Sequence, residues 1–222
     1  MPRDARATKE RLLWAGARLF ARDGVDAART RDIVALAGQG NDSAITYHFG
    51  SRRGLLEAIL RAGVERMEPV RAAALETLEA GDLRGVVGAI VGPIADELLS
   101  EDGRDFLRIV VQVAGQAGVR THSVPLVIQG TAIARQLEML EEICRGFLPE
   151  ELALERISVF IAFLTAALAD RSGREDSLLG HETFVADLVE MLTAALDAPA
   201  IGSRSPAGPY RVKTSPRGGA VR

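Results

Sequence analysis

Residues 30–60 read TRDIVALAGQGNDSAITYHFGSRRGLLEAIL. The stretch has the form of two short helices joined by a glycine-containing turn, with a third helix starting straight after Gly50. Thr30 is expected to cap the first helix, roughly residues 31–37, with Ile33, Leu36 and Ala37 facing inward. Gly38-Gln39-Gly40 makes the turn. Asn41 or Asp42 is expected to cap the second helix, whose buried residues are Ile45 and Phe49, four apart. Ser51 caps the third, with Leu55, Leu56, Ile59 and Leu60 on its apolar side. The middle helix is short, polar on one side and ends in Tyr47-His48-Phe49. Such a helix is poorly made for a core and well made for a groove.

A helix-turn-helix reader sets its second helix in the major groove while the first crosses the backbone. That role needs a short helix, a few inward anchors and a small or polar outer face. With Ile45 and Phe49 as anchors, Ser43, Ala44, Thr46, Tyr47 and His48 turn toward the groove, and the stretch 41–49 from Asn41 onward lies against base edges. Ala44 suits a thymine methyl and Thr46 either base type. Tyr47 and His48 carry donors on rigid stems and suit phosphate oxygens. Thr30 and the first amides of its helix offer an anion site. Arg52 and Arg53 stand in the first turn of a helix, where a cation opposes the dipole; a phosphate nearby explains them better than helix stability does. The competing reading is a plain helical hairpin, since Tyr and His at a helix end are often only packed.

Working outward, the chain reads as all helical, with few stretches that alternate apolar and polar. A helix over residues 8–22, capped by Thr8 and stopped at Asp23-Gly24, precedes the quoted stretch. Pro69 allows a kink or restart. Helical periodicity returns over residues 83–99, 104–116, 124–147, 150–169 and 181–196. From residue 199 the composition is Pro, Gly, Ser and Arg, and the segment is expected to be disordered. The expected parts are therefore a helix-turn-helix DNA-binding domain (1–52), a helical regulatory and dimerisation domain (53–198) and a basic tail (199–222).

The charge follows the same division. Residues 1–66 carry a net +4, residues 67–198 a net −12 and the tail +5, within 222 residues of overall charge −3. A basic head on an acidic body is what a chain needs if only its head meets a polyanion. The apolar fraction, 47%, suffices for a core. No run of about 18 uncharged apolar residues points to a membrane span. The start has no secretory h-region. A single cysteine, Cys144, rules out an internal disulfide framework and suits a cytoplasmic setting. The three histidines, His48, His122 and His181, sit far apart and in no metal or nucleophile motif, so neither a metal, a cofactor nor an enzyme is expected.

The head resembles the TetR-type transcriptional regulators over about residues 8–66. The resemblance rests on Leu19-Phe20-Ala21-Arg22-Asp23-Gly24, on Arg31-Asp32-Ile33-Val34-Ala35-Leu36-Ala37-Gly38, and above all on Ala44-Ile45-Thr46-Tyr47-His48-Phe49-Gly50-Ser51-Arg52. It implies phosphate contacts for Tyr47, His48 and Arg52, and base reading for Ser43, Ala44 and Thr46. The turn at residues 38–42 is one residue longer than the family's commonest pattern, and Arg53 stands where an acid is often found. The resemblance further implies an all-α regulatory domain that pairs two subunits and often encloses a small ligand.

The body's residues speak to part of this. Ile157, Phe160, Ile161, Leu164 and Leu168 form one apolar stripe; Phe184, Leu188, Met191, Leu192 and Leu196 form another. These are expected to pair with their symmetry mates as a four-helix bundle, though stripes alone do not separate a dimer face from a monomer core. Gln112 and Gln116 are the candidate polar contacts of a ligand pocket. The functional expectation is a homodimeric, ligand-released repressor on a palindromic operator in duplex DNA. The alternative is a helical ligand-binding or protein-interaction module that binds no DNA.

Overall fold

The computed structural model describes residues 2–41, 43–116, 125–174 and 178–200, with backbone alone for residues 2–4, 115 and 116. His122, Asp42, the side chain of Gln116 and most of the basic tail lie outside the described residues. Nine α-helices and no strand occur among those described: α1 (Pro2–Asp23), α2 (Thr30–Leu36), α3 (Ser43–Phe49), α4 (Arg52–Leu75), α5 (Leu83–Asp96), α6 (Glu101–Gln116), α7 (Ala132–Arg145), α8 (Glu150–Ser172) and α9 (His181–Asp197). Short 3₁₀ turns at Glu97–Leu99 and Leu126–Ile128 precede α6 and α7.

Local chemistry explains most boundaries. Ser51 caps α4 as expected, its hydroxyl accepting from Gly54 N at 2.9 Å. Asp82 caps α5 in the same way through Gly85 N at 2.8 Å. Three expectations fail. The first helix begins near Pro2, a residue suited to a first helical turn, so Thr8 lies inside it and caps nothing. Thr30 is the first residue of α2 rather than its cap; Arg29 holds the cap position in extended backbone, with no side-chain bond. The helix expected from residue 124 breaks at Gly130, whose φ of +73° is left-handed, and α7 starts only at Ala132. Pro69 does not restart the helix, and α4 runs through it.

Two apolar clusters build the interior. The first joins Leu12, Leu19 and Phe20 of α1, Ile33 and Val34 of α2, Ile45 of α3 and Leu55 and Ile59 of α4. It runs on through Met67 and takes in Phe106 and Ile109 of α6, so α4 and α6 belong to head and body alike. The second lies in the body, among α5, α6, α7, α8 and α9, and includes Val87, Leu140, Phe160, Leu168, Leu188 and Leu192. Leu36, expected inside, is 44% exposed, because α2 ends with it and stops short of its apolar pattern.

The crossing of α4 over α6 depends on Gly63. A Cβ built there would overlap the ring of Phe106, which is itself buried. Gly63→Leu is therefore expected to lose about 3 kcal/mol, the upper end of what overpacking costs. Urea unfolding measures it, and an unchanged midpoint would show that the crossing has room to spare.

Candidate nucleic-acid interface

The three helices α1, α2 and α3 and the start of α4 present one surface centred on α3. Ile45 is 1% exposed and fixes α3 to the head core, while Phe49 is half-buried at its end. On a helix, residues three and four apart share a face. Ser43, Thr46, Tyr47 and Gly50 accordingly form the outward face, and all four are exposed. Ala44 and His48 flank it, half-buried. Tyr47 stands 81% exposed, its ring meeting the edge of His48 at 4.9 Å between centroids.

Asn41 holds the entry to α3. Its Oδ1 accepts from Ser43 N at 2.9 Å and from Ser43 Oγ at 2.5 Å. The turn from α2 is made by Gly38 at φ +67°, and the exit from α3 by Gly50 at φ +75°. A Cβ on Gly54 would strike the carbonyl oxygen of Phe49, so the tight step from α3 to α4 requires that glycine. Together these devices hold a seven-residue helix outward without a large core beneath it.

Arg52 does not face outward. Its Nε and Nη2 donate to Ala28 O at 3.2 and 3.0 Å, and Nη2 also donates to Val25 O. The guanidinium lies over the Phe20 ring, 4.9 Å from its centroid. The guanidinium expected at a phosphate here ties α4 to the loop after α1. The reason is tertiary: that loop leaves two carbonyls pointing at the first turn of α4. Arg53, beside it, is the exposed cation, paired with Glu57 at 3.0 Å. Lys9 of α1 was not anticipated either; it sits 5.9 Å from the Phe49 ring, at the C-terminal end of α3. Thr30, the first residue of α2, is half-buried at the edge of the surface.

The body residues are also redistributed. Gln112 is engaged within the subunit: its Oε1 accepts from Val25 N at 2.8 Å and its Nε2 donates to Arg108 O at 2.8 Å and Phe20 O at 3.4 Å. Its amide bolts α6 to the end of α1. Six of the eight expected dimer residues, Ile157, Phe160, Leu164, Leu168, Leu188 and Leu192, are buried in their own subunit's core. Ile161 and Phe184 are half-buried against the same core. What α8 leaves outside is Val159 (59% exposed), Phe163 (41%), Ala162 and Ala166; α9 adds Met191, Ala194 and Ala195.

Nothing in the described residues assembles a metal site. Cys144 is fully buried, and burial pushes its thiol up to about 11, away from nucleophilic reactivity.

Residues 12–59 match the family model described as bacterial regulatory proteins, tetR family. No curated protein matches the chain. Among solved structures, the fold is similar to that of a TetR-like transcriptional regulator from Rhodococcus sp. RHA1, at 14% identity over 85% of this chain and 93% of that one, with a TM-score of 0.56. The ketosteroid transcriptional regulator KstR2 of Mycobacterium tuberculosis gives 16% identity over 84% and 93%, with a TM-score of 0.56. The TetR family regulator PfmR from Thermus thermophilus gives 20% identity over 82% and 96%, with a TM-score of 0.52. Residues 12–59 thus carry the sequence signature of the tetR family of bacterial regulatory proteins, and the described chain has a fold similar to that of these solved regulators.

Proposed function

We propose that the chain is a cytoplasmic repressor that binds a palindromic operator as a homodimer and is released by a small-molecule effector. The observation that carries the DNA reading is the outward face of α3. A helix held by one buried anchor, with Ser43, Thr46 and Tyr47 exposed, has little reason to exist except to enter a groove. Ser43, Ala44 and Thr46 are assigned to base edges. Tyr47 and His48 are assigned to phosphates, with Asn41 and Thr30 at the margins of the contact. Lys9 and Arg53 supply the positive charge that Arg52 does not.

The dimer reading rests on α8. One face of this helix lies in the core, yet it is apolar on the outside as well, long and apolar enough by composition to cross a membrane. A helix apolar all round needs cover on both sides. A second α8–α9 pair related by a two-fold axis provides it, and also supplies the two heads that two half-sites require. The functional boundary between head and body is placed at residues 52–53, with α4 and α6 transmitting the effector's influence.

Selection of bound fragments from random duplex DNA tests this. The expected product is an inverted repeat with half-site centres about 34–36 Å apart. Failure to enrich any sequence at low salt would remove the DNA reading altogether. Against the selected operator, Tyr47→Phe should weaken binding about tenfold for every sequence, the effect of one hydrogen bond to a charged acceptor. Thr46→Ala should instead relax preference at one base-pair position per half-site. Anisotropy titrations on variant duplexes separate the two outcomes.

A further inference from the structure

The seam between head and body carries a concave basic groove. It has a volume of about 580 Å³ and is bounded by α1, by the start of α6, by the end of α8 and by the start of α9. Five arginines line it, Arg18, Arg104, Arg108, Arg171 and Arg174, against two lining carboxylates, Glu101 and Asp105, and against Asp170, which pairs with Arg174 at 2.5 Å. Four of these five arginines lie in a body whose residues 67–198 carry a net charge of −12. Two of the guanidinium groups are left without an acid among the described residues. Arg104 donates to Leu98 O at 2.9 Å, and Arg171 donates to Leu179 O at 2.7 Å while lying 4.0 Å from the Phe184 ring. Neither contact neutralises charge, and each guanidinium keeps further N–H donors.

The groove also holds a tie to the DNA-binding head. Arg18 of α1 is paired with Asp105 at 3.0 Å and with Glu101 at 2.5 Å, both on α6. Asp105 is buried, 5% exposed at its side chain, and burial raises its carboxyl above the ordinary range despite both arginines. Arg108 shares Asp105 and extends to Ser172, donating to its carbonyl at 2.6 Å and its hydroxyl at 3.2 Å. The chain of contacts thus runs from α1 through α6 to the end of α8.

We propose that this groove binds a small polyanion, a compact organic molecule carrying two or more carboxylate or phosphate groups, and that binding there loosens the head. Leu98 and Leu99 line the same groove and give a carbon skeleton an apolar surface. The anion's charged groups engage Arg104, Arg171 and Arg174 and compete with Glu101 and Asp105 for Arg18. A ligand shifts an equilibrium only through its different affinity for the two states, and the state in which Arg18 is released to the ligand is the one this anion favours. The site's existence is independent of the DNA reading; its effect on the head rests on it.

Calorimetric titration of the full chain with citrate and, separately, with pyrophosphate tests the site, sodium chloride keeping ionic strength constant. Saturable binding of one anion per chain is expected, and the two probes decide between carboxylate and phosphate. Arg104→Gln and Arg174→Gln should each weaken it at least tenfold with the thermal midpoint retained. Arg84→Gln, which breaks an exposed pair with Glu190 away from the groove, should leave it unchanged. Heat no different from added chloride, or unchanged affinity in the two groove variants, overturns the site. At the same ionic strength the bound anion should weaken binding to the selected operator at least tenfold, and Arg104→Gln should abolish that effect. Operator affinity indifferent to a bound anion overturns the coupling. A chain that binds citrate yet selects no duplex keeps the site and loses the DNA reading instead.

Discussion

Phe163→Glu is expected to turn the proposed dimer into monomers and to lower operator affinity by about 100-fold or more, the advantage that linked half-site binding confers. Phe163 is 41% exposed on the outer face of α8, beside Val159, Ala162 and Ala166. In a two-fold interface each residue occurs twice, so one substitution buries two unpaired carboxylates. Each costs several kcal/mol if it stays charged in an apolar contact. The same change barely touches the subunit's own core, which α8 enters through Phe160, Leu164 and Leu168. Helical content should therefore survive, and sedimentation should report a folded monomer. Leu164→Glu is the contrast: its side chain is buried, and that variant should not fold at all. A Phe163→Glu protein that stays dimeric at micromolar concentration with full operator affinity would place the two-fold contact elsewhere.

The distinction between those two faces of α8 shows where sequence reading stops. That α8 and α9 exist was legible from their periodicity, and so was the all-helical class. Which stripe meets the partner was not. A strong stripe of Ile157, Phe160, Leu164 and Leu168 says only that the face is buried, and the monomer's own helices α5, α6, α7 and α9 are available to bury it. The outer face that we assign to the partner holds sparser residues, Val159, Ala162, Phe163 and Ala166, which look ordinary in a helix of this composition. The better signal was that α8 is apolar all round, which a search for its strongest face overlooks.

The same limit applies at the head. The outward face of α3 could be read because it needs only local facts: anchors four apart, a cap at Asn41 or Asp42, and a glycine-containing turn before it. Arg52 and Gln112 could not. Each satisfies backbone groups of the α1–α2 loop, Arg52 at Val25 O and Ala28 O, Gln112 at Val25 N. Those groups are left over because Gly24 turns the chain at φ +96° and leads it into irregular backbone, whose unpaired donors and acceptors must find partners. Which side chains reach them is decided by the packing of α4 and α6, 24 to 92 residues away in the chain.

Arg52→Ala should accordingly act on stability before it acts on DNA. The substitution removes a guanidinium that donates to two carbonyls and stacks on Phe20. It leaves those carbonyls part-buried and unmet, for a loss of about 2–4 kcal/mol. The loop between α1 and α2 then loosens, and with it the platform on which α3 stands, so operator affinity falls as well. The mode of that fall is diagnostic. A lost phosphate contact lowers the slope of log affinity against log salt by about one. A loosened platform weakens binding while leaving that slope where it was. Arg52→Lys sharpens the comparison, since an ammonium keeps the charge but cannot fork across two carbonyls. If Arg52 acts as a tie, the lysine variant should resemble the alanine variant in urea unfolding. If Arg52 acts on DNA, lysine should restore both affinity and salt slope, and the alanine variant should unfold at the wild-type midpoint.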